Sequence, residues 1–251
     1  QRLVSGMIAK GISETFAERV YAQIKGFGEY GFPESHAASF ALISYATAFL
    51  KCHYPAHFYA ALINAQPMGF YSISSLVYGA QREGVQLLPV DVYESPWDCK
   101  LESFGEGYAL RMGLRVIKGL GSAQRSLIEA AGPPIKGEQL ACYGRRLGLD
   151  KASLEALAEA GAFKSFGSRR QVLWQLSDPG LSRREPLILS EPEQALNLPI
   201  LDAFEQISWD QRASRHSARG HPFALLREPC AAQGFSSAAE LYALVDKKRA
   251  R

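Results

Sequence analysis

Ile117-Lys118-Gly119-Leu120-Gly121-Ser122-Ala123-Gln124-Arg125-Ser126-Leu127 reads as a chain reversal between two helices. Glycines at 119 and 121 permit positive φ and a tight turn that a side chain would resist. The helix after the reversal would present its first-turn amides and the positive end of its dipole outward, where an anion is favoured. Ser122 is the expected N-cap, and Lys118 and Arg125 add charge beside it. On one Gly-x-Gly alone, the plainer alternative is an ordinary glycine-turned helical hairpin with no ligand.

A second copy further along shifts that balance. Asp150 is placed to cap a helix whose Leu154, Leu157 and Ala158 form one face, and Gly161 stands at its C-terminal stop. Ser168-Arg169-Arg170-Gln171 then has capping-box form and opens a helix through Leu176. Together the copies form a tandem helix-hairpin-helix unit able to grip phosphates across a duplex groove, a contact that positions DNA without reading its bases. The expected DNA-contacting residues are Lys118, Gly119, Leu120, Gly121, Ser122 and Arg125, with Ser168, Arg169 and Arg170 from the second copy. Charge agrees: residues 108–184 hold 13 Lys/Arg against 6 Asp/Glu, a net of +7, while the remainder nets −4.

Upstream, Trp97–Glu102 and Tyr108–Met112 alternate around Phe104-Gly105-Glu106-Gly107, which predicts a β-hairpin. Val85–Val92 is strand-like but broken by Pro89, so an edge or irregular strand is expected. Further back, Ile12, Phe16, Val20 and Ile24 recur every fourth position, predicting one helix over 7–25 with Ser13 available as a cap. Gly26, Gly28 and Gly31 should break it, leaving a loop that carries Ser35 and His36. Glu34–Cys52 is nearly uncharged and rich in Ala and Ser, the composition of a helix buried on most sides. Pro55 ends it; helical patterns follow over 56–65 and 74–83, with a loop at 67–71. Downstream, four prolines in 177–200 predict a linker, and 201–219 reads as a last helix before Gly220-His221-Pro222.

The chain has 251 residues, 47% apolar and 21% charged, which fits globular domains and excludes a disordered or fibrous protein. No apolar run reaches the ~18 residues of a membrane span, and no signal-peptide pattern opens the chain. Cys52, Cys99, Cys142 and Cys230 are too far apart for Cys-x-x-Cys chemistry and read as reduced thiols of a cytoplasmic protein. His53 and His57 have the spacing of two metal ligands on a helix. Pro55 between them would cost that helix about 3 kcal/mol, and no third ligand is near in sequence. No metal site is expected.

From Gly28 to Pro55, the residues Tyr30, Gly31, Phe32, Ser35, His36, Ala37, Tyr45, Lys51, His53, Tyr54 and Pro55 fall in register with the fingers of bacterial C-family DNA polymerases, the relatives of the DNA polymerase III alpha subunit. The resemblance continues through Leu154-Glu155-Ala156-Leu157, Ala160-Gly161-Ala162-Phe163, Arg169-Arg170 and Gly220-His221-Pro222. Gln66-Pro67-Met68-Gly69-Phe70-Tyr71, Val90-Asp91-Val92 and Trp97-Asp98-Cys99 are similar to the error-prone, ImuC-type branch.

The resemblance implies a mainly α fold: a helical fingers segment, a small β-hairpin and a tandem helix-hairpin-helix unit. It assigns 1–96 to the C-terminal part of the fingers and 97–180 to the hairpin with the DNA-binding unit. It assigns 181–232 to a proline-rich linker with a helix, and 233–251 to the start of a truncated OB-fold. It implies a parent enzyme that transfers nucleotides from dNTPs in damage-induced mutagenesis and translesion synthesis, with Mg²⁺ held by palm carboxylates that this chain lacks. No catalytic residue is therefore assigned, and the chain alone is expected to be inactive. Ser35, His36, Lys51 and His53 are the expected nucleotide or template contacts, with bracing of fingers helices as the alternative for the two histidines.

Implied partners are DNA, dNTP, and ImuA-like and ImuB-like proteins. Gln175-Leu176-Ser177-Asp178-Pro179 departs from a clamp-binding motif at both apolar anchors, so direct clamp binding is not expected. The alternatives are a fragment of the replicative alpha subunit, and a non-catalytic helix-hairpin-helix scaffold.

Overall fold

The computed structural model describes residues 2–30, 34–177 and 198–243, with side chains for all of these except 27–30, 34, 35 and 243. The linker residues 178–197 and the basic tail 244–251 lie outside the described residues. The chain divides into two compact units, residues 1–53 and 54–251.

The first unit holds α1 (Arg2–Ala9), α2 (Glu14–Tyr30) and α3 (Glu34–His53). The single helix expected over 7–25 is two. Gly11 turns the chain at φ +82°, and the Ser13 carbonyl then accepts the amides of Phe16 and Ala17 at 3.1 and 3.0 Å. Gly26 and Gly28 do not stop α2, which runs on to Tyr30. A glycine inside a helix costs about 1 kcal/mol relative to alanine, too little to end one that is otherwise favoured. Ser35 and His36 consequently sit on α3, not in a loop. The expected burial of α3 is also not met: every side chain from Ala38 to His53 is exposed, Leu42 and Tyr45 at 75%.

In the second unit, α4 (Pro55–Asn64) has proline in its first turn, where the missing N–H is not needed. α5 (Ile73–Arg82) starts on Ser72, whose Oγ accepts the Ser75 amide at 3.2 Å, and Gly84 at φ +77° follows its end. β1 (Leu87–Leu88), β2 (Lys100–Phe104) and β3 (Gly107–Arg111) form a sheet of order β1-β3-β2. β2 and β3 are the expected antiparallel hairpin, with Leu101 opposite Leu110. β1 joins in parallel as the expected short edge strand, ending at Pro89.

Helices α6 (Ser122–Ala131), α7 (Leu140–Leu147), α8 (Lys151–Glu159) and α9 (Arg169–Leu176) follow, with 3-10 turns at Leu114–Val116 and Lys164–Phe166. α10 (Ala203–Ser214), α11 (Pro222–Ala232) and α12 (Ala238–Ala243) complete the described chain, so 233–243 holds a turn and a short helix where an OB-fold was expected to begin.

One hydrophobic core crosses residue 96, where a domain boundary was expected. Ile63 of α4 and Val77 of α5 join Leu110 and Met112, then Ile117, Leu157, Phe163, Val172 and Ala213. Each buried large aliphatic contributes about 1.5–3 kcal/mol. The hairpin is fastened to α4 by polar groups too. Arg115 donates to the Asn64 and Gln66 carbonyls at 2.6 Å each and pairs with Asp98 at 2.7 Å. At Gly113 a Cβ would lie 2.4 Å from the Trp97 carbonyl oxygen, so only glycine fits this crossing. Beside it, burial pushes the Cys99 thiol up to about 11, which keeps it protonated.

Candidate nucleic-acid interface

The first hairpin is anchored by Ile117, which is buried, and turned by Gly119 at φ +86°. Leu120 is half-buried against the core. Gly121 corrects the expectation of a second positive φ: at φ −131° and ψ −164° it is extended backbone. It is also the N-cap, and Ser122 is the first helical residue of α6. A helix leaves its first-turn amides without intrahelical partners, and glycine has no side chain to accept from them. The one reciprocal bond present runs the other way, with Gln124 Oε1 accepting the Gly121 amide at 3.0 Å. A Cβ on Gly121 would meet nothing closer than Gln124 Oε1 at 3.5 Å. The start of α6 is therefore an open, exposed cradle of backbone donors.

Arg125, half-exposed, lies one turn into α6; it pairs with Glu129 at 2.8 Å and stands 6.0 Å from the Trp97 ring. Lys118 is placed differently from expectation. Its amide donates to the Ala213 carbonyl at 2.9 Å and its Nζ to the Arg212 carbonyl at 2.5 Å, so both groups end on the last turn of α10.

The second hairpin is capped as expected. Asp150 Oδ1 accepts the Ser153 amide at 2.9 Å, and hydrogen bonds to Ser153 hold its carboxyl below the usual range. Ser168 and Gln171 close the capping box, at 3.4 and 2.9 Å. Gly161 turns the chain at φ +78°, with the Arg169 guanidinium 2.7 Å from where its Cβ would be.

The two arginines point inward to α10, contrary to the expected DNA contacts. Arg169, 9% exposed at its side chain, pairs with Asp210 and donates to the Ala160 and Gln206 carbonyls at 3.2 Å each. Arg170 donates to the Pro199 carbonyl and to Glu205, both at 2.9 Å.

Sequence reasoning missed Arg146. It donates to the Ala131 and Pro133 carbonyls at the end of α6 and pairs with Glu138 at 2.6 Å. That pair holds the Glu138 carboxyl low and the guanidinium pKa high. It ties the α6–α7 loop down beside Tyr143, whose phenol burial pushes up to about 12. An arginine beyond an orphaned helix C-terminus was the available signal, but its partners lie up to 15 residues away.

The four expected nucleotide contacts divide between the ends of α3. The His36 ring lies 4.4 Å from Phe40, and the His53 ring 4.4 Å from Phe49, each tilted against its neighbour along α3. From residue 36 to 51 the helix rises about 22 Å, so α3 does not bring the two pairs together. Lys51 is exposed, and Ser35 is described only as part of α3.

With this geometry, the decisive comparison concerns the stretch from β1 to α9. Residues 84–173 match the helix-hairpin-helix motif. The whole chain is similar to proteins named error-prone DNA polymerase. It is 40% identical to that of Methylococcus capsulatus, over 96% of this chain and 25% of the relative. It is 43% identical to that of Pseudomonas paraeruginosa and 44% to that of Alkalilimnicola ehrlichii, each over 96% of this chain and 24% of the relative. The chain thus spans about a quarter of the length of the curated relatives it matches. Its fold is mainly α, and the matched residues run from the small sheet through the helices up to α9.

Proposed function

We propose that this chain is the fingers-to-linker part of a bacterial error-prone DNA polymerase of the C family, ImuC-type branch, and that it holds duplex DNA through the first hairpin. The open N-terminus of α6 inside the matched motif carries this reading. Backbone amides from Gly121 onward would receive a phosphate, with the helix dipole and Arg125 adding positive potential. Contacts of this type bind any base sequence.

The parent enzyme would act in the cytoplasm, in damage-induced mutagenesis and synthesis across lesions, with dNTP as substrate and ImuA-like and ImuB-like proteins as partners. Ser35 and His36 at one end of α3, and Lys51 and His53 at the other, would contact nucleotide or template separately. In the second hairpin Arg169 and Arg170 would act through α10 and Ser168 by capping α9, and Lys118 would act through α10. No helix among the described residues is long and apolar enough to cross a membrane.

Mg²⁺ would serve the parent's reaction, held by carboxylates outside the residues assigned here. Among the described residues no three His, Cys, Asp or Glu groups come together. No catalytic step is assigned to the chain, and clamp binding is not part of the reading. Asp178 and Pro179, which stand where a clamp motif has its apolar anchors, lie outside the described residues.

The test is fluorescence anisotropy of the purified chain on two unrelated duplexes across a salt series. Binding of equal strength to both, with a steep linear log–log salt dependence, is expected. Absence of duplex binding at low salt would overturn the reading. Primer extension with Mg²⁺ and dNTPs should give no incorporation, and extension that survives repurification would refute the assignment of catalysis to residues outside this chain.

A further inference from the structure

The second hairpin has the same plan as the first, yet its cationic groups are turned to the protein. The helix they reach, α10, lies beyond the end of the matched motif at residue 173. Arg169 enters it at Asp210 and Gln206, and Arg170 at Glu205 and, just ahead of the helix, at Pro199. Asp210 is buried and fully engaged. Its Oδ1 takes Arg169, while Oδ2 accepts Ser217 Oγ at 2.6 Å and faces Arg219 Nε at 3.5 Å. The residues after α10 are thereby folded back, with buried His216 and Ser217 beneath. From the other side, Gln81 donates to the Ser217 carbonyl at 3.2 Å, and Gln211 donates to the Tyr78 hydroxyl.

The far end of the same helix holds the first hairpin. Ala213 and Arg212 supply the carbonyls that take the Lys118 amide and amine. Lys118 immediately precedes Gly119, the residue whose positive φ turns the chain into the amide cradle. One helix is thus fixed by the second hairpin at its start and middle, and fixes the first hairpin at its end.

We infer that α10 and its flanks, residues 198–219, complete the DNA-binding unit: the second hairpin serves as anchor, and Asp210 is the positioning residue that sets the pose of the first hairpin through α10 and Lys118. This rests on the proposed DNA contact at α6, which the brace would orient. Asp210 touches no phosphate. Its loss should move the cradle without removing a cationic contact, and that distinguishes it from Arg125.

The experiment uses the 251-residue chain carrying Asp210→Asn, with duplex anisotropy over a salt series and amide hydrogen exchange on the free protein. Duplex affinity should fall about tenfold, the scale of coupling through packed elements, with an unchanged log–log salt slope. Exchange at the Lys118 amide should quicken by more than that of core amides such as Leu110. Unchanged affinity and exchange would overturn the inference. So would uniform acceleration of all core amides, which marks general destabilisation instead of positioning.

If Asp210→Asn does not fold, Arg170→Gln removes the more exposed strut and should give the same selective pattern at smaller size. No selective change at Lys118 in that variant would also overturn the inference. If the wild-type chain binds no duplex, the DNA reading fails separately, and exchange at Lys118 alone decides whether the brace exists.

Discussion

In the first hairpin α6 starts on Gly121, which offers its first-turn amides no acceptor; in the second α9 starts on Ser168, whose hydroxyl and Gln171 partner close the terminus. The charged groups diverge in the same way. Arg125 lies half-exposed beside the open terminus, whereas Arg169 and Arg170 run inward to α10. Two copies of one backbone plan have therefore separated, one left open to a ligand and one closed into a support. The difference teaches that a repeated motif does not imply a repeated contact: what satisfies the helix N-terminus decides which copy remains available.

The largest expected effect breaks the support. Arg169→Ala leaves Asp210 buried without its main partner and should lower stability by about 3–5 kcal/mol, read by chemical denaturation. Arg125→Ala, at a half-exposed i,i+4 pair, should change stability by no more than about 0.5 kcal/mol. Equal losses would mean the hairpins are not divided as described.

Glycine replacement sharpens the comparison next. Gly161→Ala combines positive φ with a Cβ driven into the Arg169 guanidinium, and should cost about 2 kcal/mol or more. Gly119→Ala pays for φ alone, about 1 kcal/mol, since its Cβ would meet only Ala156 at 4.0 Å. Gly121→Ala should leave thermal stability within about 0.5 kcal/mol, because the backbone there is extended and open. A large loss for Gly121→Ala would show that this glycine is structural.

Acid should loosen the supporting side first. Burial holds the His216 pKa below its ordinary value, against an opposing pull from the Ser214 carbonyl and Asp210. The unfolded chain therefore takes up a proton before the folded one does. Stability contributed by neutral His216 is complete above about pH 6.5 and declines as pH falls from there toward the lower folded value. The lowered carboxyls of Glu102, Glu138 and Asp150 act in a more acidic window, losing their contribution as pH falls through their folded values below the usual carboxylate range. His216→Gln should flatten the upper decline in a melting-temperature series. An unchanged profile would remove His216 as its cause.

Features decided within a few residues were legible in the sequence. The capping box at Ser168–Gln171, the cap at Asp150, the hairpin turn at Gly105 and the positive φ of Gly119 all follow from neighbours on the chain. The inward partners of Arg169 and Arg170 were not legible because they lie 41 and 35 residues away, across the linker, where local charge counting cannot see them. The Lys118 bond was hidden for the same reason, its acceptor being 94 residues distant. The apolar run of α3 pointed to burial, but composition does not say what covers a helix, and in these residues it is exposed. Gly121 has a property the sequence reading did not give it: it is an N-cap without a side chain, in extended backbone, and not a turn residue.

If phosphate is held at the first hairpin and not at the second, the salt dependence of duplex affinity separates the two. Anisotropy titrations of Arg125→Ala and Arg170→Ala at several salt concentrations give the log–log slope for each. A slope shallower by about 0.9, one released counterion, is expected for Arg125→Ala, and a wild-type slope for Arg170→Ala. The reverse pattern, with Arg170→Ala shallower and Arg125→Ala unchanged, would contradict it.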